Sequence, residues 1–336
     1  MNDAKASKMA AKFIFIMIFL LFALNAVRIS DFSIDSGTFQ NFSIIFISIL
    51  LDAFPFILLG AFVSSILHVL VSEELIERII PKNRLLGTIA ASLCGIIFPI
   101  CECAIVPIAH RLIKKGVPPG IAVTFMLAVP IVNPVVLIST YYAFSDKPLV
   151  VFIRAVFGMA CAVIIGLIID YIWHGKVVIK NVEYDNDECC CENCGHEIRN
   201  KKQMFFEVME HAGIEFYGIG KLLIIGSLIS AAVQTFIPKN SFSNLSGSVT
   251  SSIIIMMVMA YVLSICSEAD AFVARSFYPA FNIGAICSFL IMGPMIDIKN
   301  TIMLFTLFKK KFVFELMLLI VFMAFISGYL ICSFGL

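Results

Sequence analysis

The chain has 336 residues, 60% of them hydrophobic and 14% charged, with a formal net charge of +1 and a mean hydropathy of +1.01. A soluble domain carries about 25% charged and about 45–50% apolar residues, so the composition excludes a soluble enzyme, a disordered chain and a secreted disulfide scaffold; the near-zero net charge says nothing about nucleic acid, and no nucleic-acid partner is expected. An all-α polytopic membrane protein remains, because the apolar runs are long and continuous and lack the alternation of a membrane β-barrel.

A spanning helix needs about 20 apolar residues. The first run, Phe13 to Val27, follows Lys5, Lys8 and Lys12 and is expected as a retained membrane helix, not a cleaved leader. The second covers Ile44 to Val71, with Asp52 and Pro55, and the third Leu86 to Ala109, with Pro99 and Glu102. From Gly116 to Ser145 there are 30 residues without a charge, interrupted by Pro118, Pro119, Pro130 and Pro134. Leu149 to Trp173 follows, with Arg154 and Asp170 near its ends, where snorkelling is expected; Tyr171, Trp173 and His174 look like an interfacial anchor. A polar stretch from His174 to about Glu210 precedes the last four runs: Phe216 to Ile237, Val249 to Phe272, Phe281 to Leu307 and Phe312 to Leu336. His68 and His110 are expected at interfaces or satisfied, not as ligands.

The eight runs after the first form two sets of four. Phe56-Ile-Leu-Leu-Gly60 corresponds to Leu222-Leu-Ile-Ile-Gly226, and Cys101-Glu102-Cys103-Ala104 to Ser267-Glu268-Ala269-Asp270, both at an offset of 166. Ile80-Pro-Lys-Asn83 recurs as Ile237-Pro-Lys-Asn240, and Gly120, Pro130 and Asn133 align with Gly284, Pro294 and Asp297. Internal repeats of this kind are typical of secondary transporters, whose sites lie where the halves meet. The expected division is residues 1–42 (a membrane helix and external linker), 43–173 (repeat 1), 174–210 (a Cys-rich linker) and 211–336 (repeat 2). Lys and Arg concentrate on the cytoplasmic side of plasma-membrane proteins. The clusters Lys5/Lys8/Lys12, Arg78/Lys82/Arg84, Arg111/Lys114/Lys115 and Lys309/Lys310/Lys311 all fall inside if the third and seventh runs enter and return on one side. The N-terminus and the linker are then cytoplasmic, and the repeats are inverted, each with one broken or re-entrant segment. Making the fourth and eighth runs re-entrant also gives inverted repeats, but leaves Arg111/Lys114/Lys115 outside.

Charges within apolar runs default to functional candidates. Glu102 lies between Cys101 and Cys103, in a stretch whose prolines, Pro99 and Pro107, are expected to interrupt the helix. The corresponding stretch has Glu268 and Asp270, with Arg154 and Arg275 as candidate partners in the pairs Glu268–Arg154 and Asp270–Arg275. Glu268, then Glu102, are the candidates for proton coupling. Asn133 and Asp297 mark breaks that can hold a polar solute near the midplane. The candidate solute site is therefore Cys101, Glu102, Cys103, Asn133, Glu268, Asp270 and Asp297. The linker adds Cys189, Cys190, Cys191, Cys194 and His196; thiolates at this density favour a soft metal or metalloid ion, while no cofactor is required. No GxxxxGK[ST] is present, so the chain is not itself an ATPase; with no soluble catalytic domain in the sequence, no enzyme is expected.

The stretch from Cys101 to Asn133, with Cys-x-Cys-Ala, Val-Pro, Lys-Gly-Val and Phe-x-x-x-x-Pro-x-x-Asn-Pro, resembles the signature of the ArsP-type predicted permeases. Characterised members export trivalent organoarsenicals such as methylarsenite, so the resemblance implies that Cys101 and Cys103 recognise a small thiophilic solute. Glu102 stands where that motif has a small residue. The expected function is proton-coupled export of such solutes. The alternatives are a permease for a thiophilic metal ion, an organomercurial or a sulfur or selenium compound, and a membrane thiol-redox or metal-sensing protein.

Overall fold

The computed structural model describes residues 37–70, 84–97, 102–180, 201–236, 248–278 and 280–333. The first hydrophobic run and most of the Cys-rich linker, including Cys189, Cys190, Cys191, Cys194 and His196, lie outside them. The described residues form α1 (Gly37–Leu70), α2 (Arg84–Ile97), α3 (Glu102–Lys114), α4 (Pro119–Val132), α5 (Pro134–Ala143), α6 (Leu149–Trp173), α7 (Lys201–Phe236), α8 (Val249–Leu263), α9 (Asp270–Ser276), α10 (Ile283–Met295), α11 (Ile298–Leu307) and α12 (Lys310–Ser333). No named strand occurs among them; the one isolated bridge joins Ile179 to Phe308. Four helical stretches, Pro119–Ala143, Leu149–Trp173, Ile283–Leu307 and Lys310–Ser333, are long and apolar enough to cross a membrane. At about 1.5 Å per residue, 25 residues reach roughly 37 Å, past a hydrocarbon core of about 30 Å.

The long helices pack through small residues. In α4 and α6, Gly120 abuts the Gly166 carbonyl and the Asp170 side chain, and Gly166 abuts the Thr124 hydroxyl. In α10 and α12, Gly284 abuts the Gly328 carbonyl and the Cys332 thiol, and Gly328 abuts the Ser288 hydroxyl. A Cβ at any of these four glycines meets atoms already in place. Lipid offers helices no hydrophobic drive to associate, so close backbone approach of this kind supplies the dispersion contacts that hold them together. Each hydroxyl donates to the carbonyl four residues earlier, Thr124 to Gly120 at 2.9 Å and Ser288 to Gly284 at 3.0 Å, which satisfies it without leaving the helix. Around these pairs α2 packs on α4 and α8 on α10, while α4 meets α10 and α6 meets α12. The Cys161 thiol lies 3.9 Å from the Met323 carbonyl at the last of these contacts.

Three of the apolar runs are interrupted among the described residues: the fourth divides into α4 and α5, the seventh into α8 and α9, and the eighth into α10 and α11. In the third run, α2 and α3 lie on either side of residues outside the described ones. The prolines act differently from expectation. Pro107, Pro130 and Pro294 all lie inside continuous helices. The chain turns instead at Asn133, with φ −53° and ψ 128°, because the following Pro134 disfavours helical geometry in the residue before it. Pro134 then starts α5, where its missing N–H costs nothing. In the seventh run α8 stops at Ser264, whose φ of 49° is left-handed and carries strain for a residue with a Cβ.

Candidate functional site: two buried ionic nodes at the helix breaks

The first node lies where α3 meets α11. Glu102 opens α3 and is wholly buried; Lys299, in the first turn of α11, is 2% exposed. The Lys299 ammonium is 3.6 Å from Glu102 Oε1 and 3.5 Å from Asp297 Oδ2. Asp297 is the N-cap of α11: its Oδ1 accepts from the Asn300 N–H at 2.6 Å, and its Oδ2 accepts from the Ser264 hydroxyl at 2.6 Å. The carboxylate thus compensates the helix start and fastens the strained end of α8. Gly226 of α7 lies directly over Lys299; a Cβ there would come within 3.1 Å of the lysine Cα. Farther along, His110 of α3 meets Phe308 edge-on at 5.6 Å, so α3 and α11 run parallel with both N-termini at the node.

The second node lies where α9 meets α5 and α6. Arg154 is fully buried and grips Asp270 with both ends of its fork, at 2.8 and 2.7 Å. It also donates to the Thr140 hydroxyl at 2.8 Å and to the Ser267 carbonyl at 3.5 Å. The Ser139 hydroxyl of α5 donates to the Glu268 carbonyl. Beyond these, the Arg275 guanidinium lies 5.5 Å from the Phe144 ring and pairs with Asp146 at 2.9 Å, so α9 runs parallel to α5. The arrangement corrects three expectations. Arg154 does not snorkel, because it shares the buried face of α6 with Val150, Gly158 and Cys161. Asp270 pairs with Arg154 and not with Arg275, whose position at the far end of the short α9 faces Asp146. Glu268 does not receive Arg154. Both its carboxylate oxygens are buried without a hydrogen-bond partner among the described residues.

Asn133 is 1% exposed, and its side chain accepts from the Val135 N–H at 3.0 Å. It caps α5 as Asp297 caps α11, but brings no charge. Cys103 falls in the first turn of α3, next to Glu102; Cys101 and the Cys103 side chain lie outside the described residues. No group of three or more His, Cys, Asp or Glu suited to a metal ion occurs among the described residues.

Two groups named for the membrane boundary, Asp170 and Trp173, are buried in the protein. Asp170 is 4% exposed and pairs with Arg84 at 3.3 Å. Trp173 is not an interfacial anchor: it is buried edge-on against Phe312 and donates to Glu315 at 2.6 Å. His174 accepts from Arg84 at 3.0 Å, while Tyr171 is exposed. Lys299 is the buried charge between the two carboxylates that sequence reading missed. Its signal was available: a lysine two residues after Asp297, in a run otherwise counted as apolar.

Buried ion pairs at breaks in long apolar helices are a feature of multi-pass membrane proteins, the membrane permeases among them. The match to known proteins agrees. The ArsP_1 "Predicted permease" family model covers residues 38–333, and the chain belongs to that family. It is 43% identical over 288 residues to UPF0718 protein YcgR of Bacillus subtilis (strain 168), covering 85% of this chain and 95% of that protein. It is 36% identical over 273 residues, 81% of this chain and 88% of the relative, to a Streptococcus mutans serotype c protein whose name describes a candidate subunit of a two-component membrane permease complex. No solved structure matches.

Proposed function

We propose that this permease exports soft thiophilic solutes, trivalent organoarsenicals such as methylarsenite foremost, by proton-coupled alternating access of two inverted halves. The observation that carries the proton step is Glu268: its carboxylate is buried at a helix break, and the nearby guanidinium is already committed to Asp270. A buried carboxylate without a cationic partner in an apolar segment is the group on which ion coupling would act.

The repeat reading is supported by matched packing. Gly120, Thr124 and Gly166 have Gly284, Ser288 and Gly328 as counterparts. His110 on Phe308 has its counterpart in Arg275 on Phe144, and Cys161 touches its own counterpart Met323. Contact between equivalent residues is what a local twofold axis between α6 and α12 produces. In this reading the third and seventh segments return on the cytoplasmic side, where the N-terminus and the Cys-rich linker also lie.

Thiol recognition rests on Cys101 and Cys103 flanking Glu102. A methylarsenite arsenic exchanges two hydroxides for two thiolates; each thiol's proton leaves with one hydroxide, so two waters are released. A pentavalent arsenical lacks this exchange. The linker thiols Cys189 to Cys194 and His196 form, in the same reading, an accessory contact for a soft metal or metalloid ion. The test is methylarsenite uptake into everted vesicles, with phenylarsenite and divalent metals as further arms. Cys101→Ala/Cys103→Ala is expected to abolish arsenical uptake; unchanged uptake by that double variant overturns the thiol step, and uptake of metals alone redirects the substrate assignment.

A further inference from the structure

The first node contains more than a buried pair. One ammonium is placed almost equally between a carboxylate of the first half, Glu102, and a carboxylate of the second, Asp297, at 3.6 and 3.5 Å. All three side chains are at most 2% exposed. Asp297 belongs to the lysine's own helix start, two residues away, and moves with it. Glu102 belongs to α3, a separate element that only packs alongside α11. Asn300, the next residue on α11, is also 2% exposed and leaves its Oδ1 without a hydrogen-bond partner among the described residues.

Taking the permease reading as its basis, we propose that Glu102 and Asp297 form a cation-exchange site whose resident ion, in the empty carrier, is the Lys299 ammonium. When a proton or a solute cation neutralises Glu102, the lysine passes to Asp297 and α3 is released from α11. The physical argument is one of alternatives. An ion pair that must separate when two elements part leaves each charge alone in an apolar interior, at a cost of several kcal/mol. Here the lysine keeps a partner when α3 leaves, and only Glu102 has to be neutralised. Gly226 lets α7 pack closely over the lysine stem, where a Cβ would crowd it. Ser264 and the Asn300 N–H hold the Asp297 carboxylate in place to receive it.

The charged and titratable groups on the helices packed against α3 are these. From α11 and its cap come Lys299 and Asp297, α4 contributes none, and α3 itself carries Cys103, His110, Arg111 and Lys114 after Glu102. The remaining helices packed on α3 carry Asp52 and His68 on α1, and Lys201, Lys202, Glu207, Glu210, His211, Glu215, Tyr217 and Lys221 on α7, along their lengths.

Two measurements on the full-length protein in detergent test the proposal without any transported solute. The first is thermal unfolding. Glu102→Gln is expected to lower Tm by less than about 3 °C, because Lys299 falls back on Asp297. Asp297→Asn, which keeps the helix cap, is expected to behave alike. The double variant takes both of these carboxylates from the lysine and is expected to lower Tm by more than the two single changes together. The second is infrared absorption of protonated carboxyl groups. Lys299→Met is expected to gain such a band, and Lys299→Met/Glu102→Gln to lose it. Lys299→Met/Asp297→Asn removes one charge of each sign, is the variant to use if Lys299→Met does not fold, and is expected to show the same band. A Glu102→Gln variant as unstable as the double variant, or no new band in either lysine variant, overturns the proposal. Because neither measurement involves export, these outcomes leave the substrate reading standing, and failure to export methylarsenite leaves the exchange site standing.

Discussion

The two nodes solve the same problem in different ways. Both sit at broken helices, both tie a helix before the polar linker to a helix after it, and each joins basic and acidic groups away from water. At the second node the base is an arginine, and its planar fork meets Asp270 in two bonds of 2.7 and 2.8 Å, the geometry of a strong charge-assisted pair. At the first node the base is a lysine, a point charge on a flexible stem, shared at 3.5 and 3.6 Å between two acids. The difference assigns separate tasks. The Arg154–Asp270 clamp fixes α9 on α6 and leaves Glu268 without it; the lysine node is built to change partners.

Removing one member of the clamp is expected to have the largest effect. Arg154→Met leaves the Asp270 carboxylate buried alone, which costs about 3–5 kcal/mol and is read as a collapse of yield and thermal stability in detergent. Arg154→Met/Asp270→Leu removes both desolvation penalties and is expected to recover most of the stability. A double variant as unstable as the single one would show that the clamp is not a self-contained pair. The caps sharpen the contrast at smaller cost. Asn133→Ala loses one cap bond, worth about 1 kcal/mol, and is expected to lower Tm slightly. Asp297→Ala loses the cap, the Ser264 bond and the lysine's second partner together, and is expected to cost clearly more; equal losses at the two positions would mean that the charge at Asp297 does nothing beyond capping.

The coarse features of this protein were legible in sequence because they depend on local composition. Continuous apolar runs name the solvent, and Asn133-Pro134 marks a helix stop through a steric rule between neighbours. The repeat anchors Glu102 and Glu268 led to both nodes. Pairing was not legible. Arg154 and Asp270 are 116 positions apart, and nothing local distinguishes a guanidinium aimed at a carboxylate from one reaching for the interface. Proline was over-read as an interruption, because a helix absorbs the loss of one hydrogen bond when neighbouring helices support it, as at Pro107, Pro130 and Pro294. Lys299 was lost by counting a run as apolar when its informative residues were the exceptions.

The smallest expected structural effect belongs to Glu268→Gln, because no described side chain bonds to that carboxylate. The most direct test of the account is therefore uptake of methylarsenite by everted vesicles carrying the wild type or Glu268→Gln, with and without an imposed proton gradient. The account predicts gradient-driven accumulation by the wild type and, at equal protein level and stability, loss of the gradient's effect in Glu268→Gln. Accumulation by the variant that still responds to the gradient as the wild type does would contradict it.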